Sequence, residues 1–137
     1  MGGPVPKQFL SIGGQPLIVQ SLRVLQAASV IDQIILAVPS ADIAYCENEI
    51  VALHRFTKVT KVVAGGVERQ DSVRNALAQV PSDTDIVLIH DAVRPFLTQR
   101  MIDEVVARAR KEGAAIVALP MRDTVKHVRI DGMIERT

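Results

Sequence analysis

The chain has 137 residues, of which 48% are hydrophobic and 23% charged, with a net charge of +1. That length suffices for one domain with its own core, and near-neutrality removes any electrostatic case for a nucleic-acid or anionic-membrane partner. No apolar run reaches the length of a membrane span, nothing at the start reads as a signal peptide, and a single cysteine, Cys46, excludes an internal disulfide framework and fits a reducing cytoplasm.

Aromatic residues make up only 3% of the chain, so Val, Ile, Leu and Ala must build the core. The chain opens in a Gly/Pro-rich loop, Met1 to Pro6, that leads into Lys7. Pro16 to Ala28 then reads as a helix, with Pro16 near its first turn and Ile18, Leu22 and Leu25 on one face. Gln33 to Val38 is an apolar strand. Ser40 is placed to cap a helix running to about His54, in which Cys46 falls in phase with Ile43, Ile50 and Leu53 and so reads as a core thiol. Lys58 to Val63 is a second strand, ended by Gly65-Gly66. A helix from about Glu68 to Gln79 carries Val73, Ala76, Leu77 and Val80 as its apolar stripe.

Asp85 to Ile89 has the length and composition of a buried parallel strand. Thr98 is placed to cap the next helix, which turns Met101, Ile102, Val105 and Ala109 inward and stops at Gly113. Ala114 to Leu119 reads as a further buried strand. The rhythm then changes: Thr124 to Ile130 mixes charged and β-branched residues, Asp131-Gly132 is a hairpin turn, and Met133 to Thr137 begins a return strand. Four strand–helix alternations predict right-handed crossovers and a mostly parallel, Rossmann-like sheet with helices on both faces. The closing β-hairpin is an arm, from about residue 121, that reaches a partner subunit or folds as a flap over its own.

Chemistry concentrates in four segments. Lys7, held between Pro6 and Phe9-Leu10, is either a solvated surface lysine or a fixed cation suited to phosphate. The Gly65-Gly66-Val67-Glu68-Arg69-Gln70-Asp71-Ser72 turn permits close backbone approach and offers helix-start N–H groups. It reads equally as a tight turn whose acids stabilise the helix dipole. Asp91 and Arg94 follow the carboxyl end of the 85–89 strand, where open α/β sheets bind ligands. They form either an ion pair holding the loop or a site for phosphate and sugar hydroxyls. Thr124, beside Arg122 and Asp123, binds a ligand or caps a turn. His54, His90 and His127 lack metal-ligand spacing, so no residue is assigned to a metal.

Taken in order, Pro6-Lys7-Gln8-Phe9-Leu10, the Gly65-Gly66 turn through Ser72-Val73, His90-Asp91-Ala92-Val93-Arg94-Pro95 and Pro120-x-Arg122-Asp123-Thr124-x-Lys126 resemble the 2-C-methyl-D-erythritol 4-phosphate cytidylyltransferases, over essentially all 137 residues. The resemblance implies transfer of CMP from CTP to the methylerythritol phosphate with release of pyrophosphate, in the non-mevalonate route to isoprenoid precursors. It implies Mg²⁺ bound mainly through the CTP phosphates, a cytoplasmic homodimer joined through the 121–137 arm, and one nucleotidyltransferase domain. By motif, Lys7 corresponds to the catalytic lysine that stabilises the transferring phosphate. Gly65, Gly66, Val67, Arg69, Ser72 and Ala92 fall on the CTP side, and Asp91, Arg94 and Thr124 on the acceptor side and reaction centre. Val67 departs from members with an acidic residue there, which leaves only its backbone for cytosine.

Family members also begin with a central strand and a glycine-rich loop, and continue past the first arm strand. The resemblance therefore implies a partial sequence, inactive alone and with strand edges exposed. The alternatives are an enzyme of the same fold acting on ribitol 5-phosphate or another pentitol phosphate, and a non-catalytic nucleotide-binding or dimerisation module. A dinucleotide-dependent reductase lacks support, since no Gly-x-Gly-x-x-Gly follows a strand.

Overall fold

A computed structural model describes residues 6–136; the opening loop before Pro6 and the end of the return strand at Thr137 lie outside the described residues. After a 3₁₀ turn at Lys7–Phe9 comes a short antiparallel pair, β1 (Ser11–Ile12) and β2 (Gln15–Pro16). Gly13 and Gly14 join them with φ of 60° and 79°, the left-handed conformation that a two-residue hairpin loop requires and that glycine adopts without strain. The chain then enters α1 (Leu17–Ala27). Pro16 sits just before the helix as its cap residue rather than inside the first turn. Ile18, Val19, Leu22 and Leu25 are buried along one face, as the spacing predicts, and Ser21 is buried among them.

β3 (Ile34–Val38) and β4 (Val59–Ala64) pair in parallel, with a register shift at the Ile34/Ile35 end. The ladder ends at Gly65, whose N–H donates to Val38 O at 2.7 Å. Leu36 and Val38, two residues apart and so on one face, bury with Ile18, Val19 and Leu22 of α1 and with Cys46, Ile50 and Phe56. The opposite end of the ladder is tied to α1 as well: Gln26 Oε1 accepts from Lys58 N at 3.0 Å, and Lys58 Nζ donates to Ala28 O at 2.7 Å.

The connection between β3 and β4 is not the regular helix expected. Ser40–Asp42 forms a 3₁₀ turn, α2 spans only Ile43–Tyr45, and Cys46–Ala52 is π-helical. Pro39, not Ser40, occupies the cap position, and no side chain caps this end. The wider i→i+5 turns, such as Leu53 N to Asn48 O at 3.2 Å, break the 3.6-residue phase. Cys46 and Ile50 therefore stay fully buried, while Leu53 turns outward at 66% exposure. Burial, helped by Asp42, pushes the Cys46 thiol up to about 11, so it is a neutral core group at physiological pH.

α3 (Arg69–Leu77) packs along β3 and β4. Val73, Ala76 and Val80 are half-buried, but Leu77 is exposed, so its stripe is narrower than predicted. α4 (Gln99–Glu112) starts at Thr98, whose side chain accepts from Met101 N at 3.2 Å, and stops at Gly113 with φ of 87°. Ile102 and Val106 are buried against Leu25 of α1 and Ala28 just beyond it; Met101 is exposed instead of facing inward.

Two expected strands do not form ladders. Residues 85–89 form no regular element; Ile86 and Leu88 pack against the α1–α4 cluster, but Val87 and Ile89 are exposed and the segment has no strand partner among the described residues. Residues 114–119 are likewise unpaired, with Ile116 and Leu119 about nine-tenths exposed. An apolar run becomes a buried strand only when a neighbour accepts its backbone hydrogen bonds, and neither run has one here. The arm forms as a hairpin, β5 (His127–Val128) with β6 (Ile134–Arg136), turned at Gly132 and exposed throughout.

The π-helical phase change makes a direct prediction. Ile50→Ala lowers the unfolding free energy by about 3 kcal/mol, and Leu53→Ala changes it by less than about 0.5 kcal/mol, both measured by urea unfolding.

Candidate active site

The parallel ladder brings the ends of β3 and β4 to one edge, and the 85–89 segment delivers His90 to Arg94 to the same place. A cleft of about 300 Å³ opens there. Ile18, Ala37 and Val38 form its apolar part, and Gln8, Arg69, Asp91 and Ala92 supply polar side chains and backbone. A larger cavity of about 570 Å³ lies between residues 85–87, 113–115 and α4. It sits at the other end of the 85–89 segment and contains none of the candidate site residues.

Lys7 opens a 3₁₀ turn, Lys7–Phe9. Phe9 anchors that turn by packing on the core and meeting Tyr45 edge-on at 5.1 Å, so Gln8 is held on the cleft wall and Lys7 beside it. The Lys7 side chain is exposed and its ammonium has no partner among the described residues.

The 65–72 turn is organised by its own side chains. Gly66 N donates to Ser72 Oγ at 3.0 Å, and Glu68 N donates to Asp71 Oδ2 at 3.2 Å. A β-carbon at Gly66 would overlap Asp71, so that glycine is required by close approach rather than by φ, and one at Gly65 would lie 2.8 Å from Ser72 Oγ and displace that hydroxyl. Asn75 Nδ2 donates to Ala64 O at 3.2 Å and fixes α3 to the end of β4. Val67 projects almost completely into solvent.

Asp91 joins the two sides of the cleft. Arg69 reaches its Oδ1 at 2.9 Å, and Arg94 Nε donates to its Oδ2 at 3.1 Å. The loop is also bolted to α1, because Ser21 Oγ donates to Ala92 O at 2.9 Å. Ser21 escaped the sequence reading, although a hydroxyl on the apolar face of α1, in phase with Ile18 and Leu25, is the signal that would find it. Of the three acceptor-side assignments, Asp91 lines the cleft, Arg94 joins it only through its contact with Asp91, and Thr124 is exposed on the approach to the arm and is not among the lining residues.

Metal binding by side chains does not fit this donor set. Asp91 is the one carboxylate on the cleft wall, and both its oxygens are committed to guanidinium groups. Among the described residues no group of three or more His, Cys, Asp or Glu side chains could hold an ion. A hard cation such as Mg²⁺ would need several oxygens supplied from elsewhere.

Comparison with known proteins adds a second line of support. Residues 1–137 match the family model for 2-C-methyl-D-erythritol 4-phosphate cytidylyltransferase. The chain is 46% identical over 132 residues to the protein of that name from Syntrophus aciditrophicus (strain SB), covering 96% of this chain and 56% of that protein. It is 41% identical over 140 residues to the one from Geobacter metallireducens, covering 100% of this chain and 60% of that protein. The chain thus spans a little over half the length of these curated relatives. Among solved structures, 4-diphosphocytidyl-2C-methyl-D-erythritol synthase from Anaerococcus prevotii DSM 20548 superposes with a TM-score of 0.84 at 26% identity. That match covers 99% of this chain and 59% of the other, and it places this chain in the same Rossmann-like α/β fold.

His90 supplies a pH-dependent prediction. Its Nε2 is buried with no hydrogen-bond partner among the described residues. Burial pushes the imidazole below its usual 6.5, and Arg94 adds to this; a backbone hydrogen bond at Arg94 and the Asp91 carboxylate pull it back up. A base whose folded value is depressed folds in its neutral form, so its full contribution holds above 6.5 and is lost as pH falls through and below that value. Between about pH 7.5 and about pH 5.5 the melting temperature therefore falls, and His90→Gln, which cannot titrate, shows a smaller fall.

Proposed function

Since the chain belongs to the 2-C-methyl-D-erythritol 4-phosphate cytidylyltransferase family, we propose that its protein transfers CMP from CTP to 2-C-methyl-D-erythritol 4-phosphate and releases pyrophosphate. One observation carries the reading: Gln8 beside Lys7, Arg69 of the glycine turn, and Asp91-Ala92 converge on a single cleft at the sheet's carboxyl edge. Its volume is at the lower end of ligand sites and suits part of a nucleotide.

In this reading the acceptor's phosphate oxygen attacks the α-phosphorus of CTP in line. A new P–O bond forms as the bond to the β-phosphate bridging oxygen breaks, and pyrophosphate leaves with the electron pair. No protein nucleophile is needed, so the chain acts by position and charge. Lys7 provides an ammonium with no partner among the described residues, close to the cleft and anchored through Phe9, to meet the negative charge that grows on the transferring group. The turn from Gly65 to Ser72 lets backbone approach the base, with N–H groups at the start of α3 as donors and with the Ser72 hydroxyl, which accepts from Gly66 N, turning its proton to the base from a 3.4 Å contact with Glu68 O. Ala92 lies beside the ribose. Asp91 and Arg94 face the acceptor. CTP enters as its magnesium complex, with the ion on the nucleotide's own phosphates, which agrees with an Asp91 already committed to arginines.

The acceptor phosphate also meets Thr124, from the second copy of a homodimer joined through the 121–137 arm. The exposure of the whole arm, with Val125, Val128, Ile130 and Met133 uncovered, supports this, as does the absence of Thr124 from its own cleft. The chain acts as one nucleotidyltransferase domain, in the cytoplasm; no helix among the described residues is long and apolar enough to cross a membrane.

The test uses the product of the complete reading frame that encodes this chain. With CTP, magnesium and 2-C-methyl-D-erythritol 4-phosphate it releases pyrophosphate, and with ribitol 5-phosphate in its place at least about 100-fold more slowly. Lys7→Met lowers kcat by about 100-fold or more and leaves the melting temperature unchanged. No release with either acceptor, or equal rates for Lys7→Met and wild type, contradicts the proposal.

A further inference from the structure

Arg69 is the residue whose position the chemistry above leaves unexplained. It is the first residue of α3, where the helix dipole disfavours a cation. The turn's own charge needs are met without it, because Asp71 caps through Glu68 N and pairs with Arg74 at 2.7 Å. Arg69 instead spans the cleft to a residue 22 positions away, with Nε and Nη2 both 2.9 Å from Asp91 Oδ1. Arg94 reaches the other oxygen from the same loop through Nε alone, and its side chain is 77% exposed.

The two arginines are therefore not equivalent. Both guanidiniums are exposed, but Arg94 makes a single local contact with its outer nitrogens uncommitted among the described residues, whereas Arg69, itself 66% exposed, holds Asp91 through two nitrogens, so the Arg94 contact is the one that exchanges at less cost. An arriving phosphate can take those nitrogens in a bidentate pair. Asp91, once released by Arg94, would be a bare carboxylate beside a polyanion unless another cation stayed on it. Arg69 is that cation.

We infer that Arg69 is a positioning residue. It holds the Asp91 carboxylate across the cleft and cancels its charge, so that Arg94 is free to pass to an anionic substrate. Arg69 itself touches no reacting atom. The inference rests on the cytidylyl-transfer reading and identifies which groups poise its acceptor side.

The experiment is a double-mutant cycle in the complete protein, with kcat and KM measured for both substrates and melting temperature as a check on folding. Arg69→Gln lowers kcat/KM for the acceptor phosphate about 10- to 50-fold, leaves KM for CTP within about 3-fold, and shifts the melting temperature by no more than about 2 °C, as for an exposed pair. Arg69→Lys restores part of the loss by returning the charge. In an Asp91→Asn background, Arg69→Gln adds little. Unchanged acceptor kinetics in Arg69→Gln overturn the inference. So do effects of Arg69→Gln and Asp91→Asn that simply multiply, or a loss confined to KM for CTP, which would make Arg69 a direct nucleotide contact. A wild-type protein that releases no pyrophosphate refutes the cytidylyl-transfer reading instead, so the two failures are distinct.

Discussion

The parallel pairing of β3 with β4 is the constraint on which the rest of the structure depends. Five residues of β3 and six of β4 run side by side, and the last rung, Gly65 N to Val38 O, closes the ladder where the glycine turn begins. A parallel pair puts both carboxyl ends at the same edge, so the end of β3 and the start of the 65–72 turn must meet. α1 covers the face that Leu36 and Val38 present, and through Ser21 it also grips the backbone of the third loop at Ala92. Three segments far apart in the chain thus share one cleft, because one ladder and one helix leave them nowhere else to go.

Charge within that cleft is arranged economically. Asp91 is flanked by Arg69 and Arg94, and Lys7 stands nearby with no partner among the described residues, so the site carries an excess of positive charge and one compensated carboxylate. Such a surface favours a polyanion and leaves a hydroxyl acceptor in reserve. The exposed ion pairs contribute little to stability, so the arrangement is read more sensibly as a means of holding groups in position. The glycines reinforce this: a methyl group at Gly66 would collide with Asp71, which would disturb the turn that carries Arg69.

Much of this was legible in the residues. The 3.6-residue spacing of Ile18, Leu22 and Leu25, the Thr98 cap and the Gly113 stop describe α1 and α4 within a residue or two, since each is set by local chemistry. The motif around Asp91 pointed to the carboxyl end of an 85–89 strand; that run forms no ladder among the described residues, and Asp91 instead lines a cleft at the carboxyl end of β3. Nonlocal features were less readable. The apolar runs at 85–89 and 114–119 look like buried strands, yet a ladder needs a partner that the run itself cannot specify. The π-helical turns between Cys46 and Ala52 shift the phase without any proline or glycine to announce them. The Gly13-Gly14 hairpin had a clear sequence signal that a helix-first reading passes over. Thr124 stands apart because its assignment concerns a second copy of the chain.

Mapping where the nucleotide binds tests the central claim most directly. Titrating magnesium–CTP into the isotope-labelled complete protein should perturb the amide resonances of Lys7, Gly66, Ser72 and Ala92 together, saturably, while Ala109 to Ala115 stay unchanged. Perturbations centred on the larger cavity beside α4, or none at the carboxyl edge of β3 and β4, would contradict it.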